Sequence, residues 1–264
     1  MLLSIATTGP RADSLGHLLH KHPDKFQSFD LSFGKAHVFY PEAGIERAEA
    51  ALLLEVDSVG LARGKNADQN FLLGQYVNDR PYAATSFLAV AIARVFGSAL
   101  NGKCAHRPDL ATAPRAYEAR VESLPARGGE KSVREIFAPL GYEIEVAGRT
   151  IDERFPEWGA SPYVTVTLRK TTTLRELLTH LYVLIPTFDA RKHYYVGADE
   201  LEKLLAKGEG WLAGHPAKET IARRYLRFQP SLFRMALARL VEVETDEPEG
   251  EEGDECSPAA AAEE

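Results

Sequence analysis

The sequence predicts an α+β fold: two related strand-helix-strand-helix lobes with small mixed sheets, followed by C-terminal helices. Three observations lead there. Residues 163–168 alternate Val164 and Val166 with Thr165 and Thr167, the period of a half-buried strand. Leu15, Leu18 and Leu19, and again Leu174, Leu177 and Leu178, fall at i, i+3, i+4, the apolar stripe of a helix. Finally, Ser14-Leu15-x-x-Leu18-Leu19 corresponds to Thr173-Leu174-x-x-Leu177-Leu178 at an offset of 159, each after a strand and before a proline. Lys35-x-His37 then corresponds to Arg191-x-His193 at an offset of 156. Duplication explains the match, as do convergence on one packing solution and chance matching of common α/β elements.

The elements follow in order. Residues 2–7 read as a strand, and Ser14 opens a short helix that Pro23 stops. Extended segments at 26–33 and 35–40 flank Gly34; a helix near 45–51 leads into an apolar strand ending at Val56. A helix over 84–100 ends at Asn101-Gly102. Residues 103–131 hold Pro108, Pro114, Pro125 and Gly128-Gly129 around one short helical stretch at 115–121, which predicts a connecting segment between lobes 1–102 and 132–241. The second lobe opens with strands at 141–146 and 163–168. A helix over 174–185 follows, with Thr173 before it and Pro186 closing it. A strand at 193–196, a helix marked by Leu201, Leu204 and Leu205, and two helices over 218–240 complete the lobe, with Ser231 placed to cap the last.

Composition bounds the class. A chain of 264 residues with 45% hydrophobic and 26% charged content is globular, and collagen, coiled coil and wholesale disorder are excluded. The net charge of −7 is unevenly placed, because residues 242–264 hold 11 of the 38 acids and no Lys or Arg. The remaining 27 acids face 31 bases, so residues 1–241 carry +4. The acidic tail has almost nothing to bury and reads as a disordered linker to a domain not present in these residues, with a free C-terminal tail as the alternative. Two cysteines, Cys104 and Cys256, exclude a disulfide framework and a cysteine-rich zinc site. The apolar run at 87–96 is too short to span a bilayer and carries Arg94, so the expected location is cytoplasmic.

Signatures of the common enzymes are missing. No strand leads into G-x-G-x-x-G or G-x-x-x-x-G-K-[ST], and neither G-x-S-x-G nor H-E-x-x-H occurs. His17, His20 and His22 cluster at one helix end, where i, i+3 spacing permits metal ligation and a helix C-terminus favours imidazolium in a capping role. Asp30, His37, Asp189 and His193 are the repeat-related candidates for an unrecognised catalytic site, against packing roles for both histidines among aromatics. Arg223, Arg224, Arg227, Arg234 and Arg239 lie on the last two helices, with Arg223 and Arg227 four apart on one face. That stripe suits an acidic partner, RNA phosphates or plain solvent. Trp158, Tyr163, Tyr194, Tyr195 and Trp211 lie near Gly or Pro turns, as interface aromatics or as core. The candidates for partner binding are Tyr194, Tyr195, Trp211, Arg223 and Arg227.

Several long strings carry a family resemblance. Ser28-Phe-Asp-Leu-Ser-Phe-Gly-Lys-Ala-His-Val-Phe-Tyr-Pro41, Asn78-Asp-Arg-Pro-Tyr82, Ser86-Phe-Leu-Ala-Val-Ala-Ile-Ala93, His180-Leu-Tyr-Val-Leu184, Lys192-His-Tyr-Tyr-Val-Gly197, and Gly208-Glu-Gly-Trp-Leu-Ala-Gly-His-Pro216 before Arg223-Arg-Tyr-Leu226 are the strings. Over residues 1–240 they resemble the N-terminal half of the bacterial 3'-terminal RNA ribose 2'-O-methyltransferase. That family works beside a polynucleotide kinase-phosphatase carrying an RNA ligase module. The resemblance implies that this half binds the ligase and promotes its adenylylation, while a C-terminal half methylates the RNA 2'-hydroxyl. The S-adenosylmethionine loop and the Glu/His metal cluster of that second half are absent from these residues. A non-catalytic module without cofactor or metal of its own is therefore expected, with the kinase-phosphatase-ligase as partner and no membrane. The alternative is an RNA-binding module that presents 3' ends to the methyltransferase half.

Overall fold

The computed structural model describes residues 1–63, 85–104, 107–126, 128–189, 198–226 and 230–245. The chain opens with β1 (Leu2–Thr8) and a short α1 (Leu15–Leu19). Three further strands run β2 (Gln27–Leu31), β3 (Gly34–Ala43) and β4 (Arg47–Val56). The helices α2 (Ser58–Arg63), α3 (Thr85–Val95), α4 (Gly97–Leu100) and α5 (Pro108–Ala111) precede β5 (Arg115–Pro125). Then come α6 (Gly129–Phe137), β6 (Glu143–Thr150), β7 (Ala160–Thr172) and α7 (Leu174–Leu184). Three helices, α8 (Ala198–Gly208), α9 (Lys218–Tyr225) and α10 (Pro230–Thr245), end the described chain.

All seven strands join one antiparallel sheet in the order β2-β3-β4-β1-β5-β7-β6. The α+β class therefore holds, but one sheet replaces the two small mixed ones that the sequence predicts. The two halves contribute four and three neighbouring strands, and β1 pairs β5 over seven positions, Leu2 opposite Glu122 through Thr8 opposite Ala116. Residues 103–131, expected to connect lobes, supply β5 itself.

Register explains the burial. Leu3 lies opposite Leu52 on β4 and Val121 on β5; Ile5 lies opposite Ala50 and Ala119. These side chains share one face and meet Leu15, Leu18 and Leu19 of α1, Leu88 and Ile92 of α3, and Leu177, Leu178 and Leu181 of α7 in a single core. Full burial of each such leucine stabilises the fold by about 2 kcal/mol.

Several elements differ from the sequence expectation for local reasons. Of residues 45–51, expected to be helical, 45 and 46 form a bend and 47–51 are extended within β4: Ala48, Ala50, Leu52, Leu54 and Val56 alternate inward, and this period of two overrides alanine's helix preference. Residues 115–121 are likewise a strand, Tyr117, Ala119 and Val121 facing the core. The helix at 84–100 is divided at Phe96 into α3 and α4. Ser231 lies inside α10, which opens on Pro230, where a missing N–H costs nothing. Thr173 does cap α7, its hydroxyl accepting from the Glu176 N–H at 3.2 Å. Gly34 begins β3 at φ +148°, where a Cβ would lie 2.0 Å from the Glu55 carbonyl oxygen. The strand expected at 193–196 lies outside the described residues, as does the tail from 246 onward.

Candidate partner-binding surface

The second face of the sheet is built from the residues that alternate with the core. Ser4, Ala6 and Thr8 of β1, Glu49, Ala51 and Leu53 of β4, and Glu118, Arg120 and Glu122 of β5 point to it. Small side chains on the central strand form a low floor. A trough of about 470 Å³ opens there over Ala6, Thr8 and Ala116, between Arg47 and Arg169.

Ion pairs lace its walls. The Arg169 Nε donates to Glu118 at 2.6 Å and its Nη2 to Glu145 at 3.2 Å, while Nη1 lies 3.7 Å from Glu143. Arg47 is shared between Glu42 and Glu49. Arg120 pairs with one oxygen of Glu122 at 2.6 Å, and the other accepts from the Thr165 hydroxyl. The hydrogen bond that Arg169 donates to Glu118 raises the guanidinium's pKa still further above its ordinary value, and the one that Arg47 donates to Glu42 does the same there. Exposed pairs of this kind each contribute at most about 1 kcal/mol to stability, so their effect is mainly to fix side chains in place.

The β2–β3 end is aromatic. His37 Nδ1 lies 2.8 Å from the Ser28 hydroxyl and its Nε2 3.1 Å from Glu55. Phe26, 66% exposed, stacks on His37 at 5.3 Å and on Phe39 at 6.1 Å, and Leu53 on the same face is 39% exposed. Lys35 and Asp30 face each other across β3 and β2 at 3.8 Å.

Beneath the sheet lies a buried polar cluster. The Tyr142 hydroxyl and His180 Nδ1 are hydrogen-bonded at 2.9 Å, and Trp211 meets the same imidazole edge-on at 4.8 Å. Among the described residues His180 Nε2 has no hydrogen-bond partner, and burial pushes its pKa down to about 4, Glu176 opposing that shift. Lys170 bonds Glu176 at 2.6 Å beside the Tyr142 ring. His215 Nε2 donates to the Ile136 carbonyl at 2.9 Å, its pKa also lowered by burial.

Two of the five partner-binding candidates can be placed. Trp211 is half-buried, its indole N–H donating to the Lys207 carbonyl at 2.8 Å, and the Arg223 guanidinium lies over Phe233 at 5.4 Å. Both belong to the helical layer. Tyr194, Tyr195 and Arg227 lie outside the described residues, as does His193. Asp30 and His37 sit on the uncovered face, and Asp189 follows the 3-10 turn Ile185–Phe188 in the helical layer. In the histidine cluster, His20 caps α1 with φ 55° and binds the Lys103 carbonyl through Nε2, while His22 Nδ1 accepts from the Asp24 N–H. Among the described residues no three His, Cys, Asp or Glu side chains are placed to hold a metal. No described helix is long and apolar enough to cross a membrane. The acidic face itself went unread in the sequence, although the alternation of Glu118, Arg120 and Glu122 with Tyr117, Ala119 and Val121 marks it.

Fold and surface together define a class: among the described residues, a sheet covered by helices on one side and lined with ion pairs on the other. The sequence comparison is more specific. Residues 1–241 match the RNA repair, ligase-Pnkp-associating region of Hen1, and the chain belongs to that family. No curated protein sequence matches it. Among solved structures, the fold is similar to a chain of the Pnkp1/Rnl/Hen1 RNA repair complex, with TM-score 0.56 and 12% identity over 93% of this chain and 57% of that one. A second structure of the Pnkp1/Rnl/Hen1 complex gives TM-score 0.56 and 12% identity over 92% of this chain. This chain thus spans little more than half the length of those chains, 57% and 56%. At such identity the likeness is one of fold.

Proposed function

We propose that this chain is a binding and activating module of RNA repair. It docks on the kinase-phosphatase protein that carries the RNA ligase and raises formation of the covalent ligase-adenylate. Family membership over residues 1–241 carries this reading, because the matched region is the one described by its association with ligase and Pnkp. Methyl transfer, with its S-adenosylmethionine and metal, falls in this proposal to a separate half of the protein.

The physical requirement is modest. A ligand that binds the competent conformation of its partner more tightly by about 1.4 kcal/mol shifts the populations about tenfold, and contributes no catalytic group. The rival reading, direct RNA binding, relies on the arginine series. Of that series, Arg223 covers Phe233, Arg224 donates to the Ser132 hydroxyl and Arg239 pairs with Glu202 at 2.7 Å.

Mixing the chain with purified ligase-bearing protein and ATP tests the proposal. Ligase-AMP formation, followed with radiolabelled ATP, is expected to rise about tenfold. Unchanged adenylylation in a mixture that forms a stable complex would refute activation.

A further inference from the structure

Ladder register places eight carboxylates of Asp and Glu on the uncovered sheet face against four Lys and Arg side chains, a surplus of four negative charges with His37 neutral. Residues 1–241 as a whole carry +4, so this surface is net acidic on a region that is net basic. Nor is it internally neutralised. The Arg169 guanidinium serves Glu118, Glu143 and Glu145, and the side chains of Glu143 and Glu145 remain 75% and 63% exposed. Glu55, 72% exposed, has His37 at 3.1 Å. Carboxylates gathered this way repel one another, and an approaching cationic surface relieves that repulsion.

We infer that the uncovered sheet face docks a basic protein surface on the ligase-bearing partner, with its acids steering the approach and Phe26 and Leu53 forming the apolar anchor. This rests on the proposed partnership and names the face that serves it. Three features select the occupant. Net negative charge repels phosphates, so the face disfavours RNA, whereas a protein that handles RNA carries the complementary positive field. A second copy of this chain would set acid against acid. The small residues Ser4, Ala6 and Ala51 leave the middle of the sheet low, and exposed Phe26 and Leu53 at one end give an incoming surface something to desolvate.

The experiment measures association of the full chain with immobilised ligase-bearing partner at low and moderate salt. The double variant E143K/E145K reverses two exposed acids, and its folding is checked by circular dichroism and a thermal melt. Its association rate is expected to fall about tenfold or more at low salt with little change in dissociation, the signature of lost steering. Phe26→Ala is expected to quicken dissociation instead. Glu219→Lys, an exposed acid on α9, should leave both rates unchanged. Undiminished association of folded E143K/E145K, when wild type binds, overturns the face and leaves the partnership standing. No binding by wild type overturns both. Wild-type binding of fluorescein-labelled single-stranded RNA that Phe26→Ala abolishes would assign the face to RNA and overturn the inference.

Discussion

His180 illustrates how a single side chain links burial to pH. It is 1% exposed, hydrogen-bonded to Tyr142 through Nδ1 and faces Trp211, so a charge added to it would be stranded in the core. Its folded pKa of about 4 lies below the ordinary 6.5, with desolvation as the first cause. Between those values the unfolded chain takes up a proton that the folded chain refuses. Stability is therefore complete above pH 6.5 and falls as the pH drops towards 4, by about 3 kcal/mol from this group alone. His180→Gln keeps an acceptor and removes the titration. Urea unfolding of both proteins across pH 4 to 6.5 is expected to show a smaller pH slope in the variant.

At the scale of elements, the strands and helices respond to different signals. Thr173→Ala deletes the cap of α7 and is expected to cost about 1 kcal/mol in urea unfolding, because the Glu176 N–H loses its acceptor. Gly34→Ala forces a Cβ against the Glu55 carbonyl and is expected to cost about 2 kcal/mol or more by the same measurement. The Thr173 cap was legible in the sequence because it is local. β4 and β5 were misread in part because Ala, Glu and Arg favour helices, and only pairing on both sides of β1 rewards their period of two. α6 was missed altogether, although Val133, Ile136 and Phe137 keep helical spacing and are buried. The glycines before it suggested a loop, whereas Gly128 and Gly129 form its entrance with φ of 87° and 63°.

At the scale of the whole molecule, β1 decides the organisation. It is the central strand, pairs both halves and carries Leu3 and Ile5 into the common core. One cooperative unit follows from that placement, so amides of β4 and of β7 are expected to exchange at the same global free energy, with a single urea transition. Two separate transitions would support two lobes. Leu3→Ala is expected to destabilise both groups of amides together, by about 2 to 5 kcal/mol.

The sequence by itself determined the α+β class, the leucine-striped helices, the acidic tail and, through long unusual strings, the family. These depend on composition, local spacing and residue identity, which a linear reading contains. Only the tertiary structure decided that the two halves share one sheet, and that Glu118, Glu143 and Glu145 converge on Arg169 to make one face acidic. Strand neighbours far apart along the chain are chosen by the fit of whole faces, and charge density on a surface is a property of that arrangement.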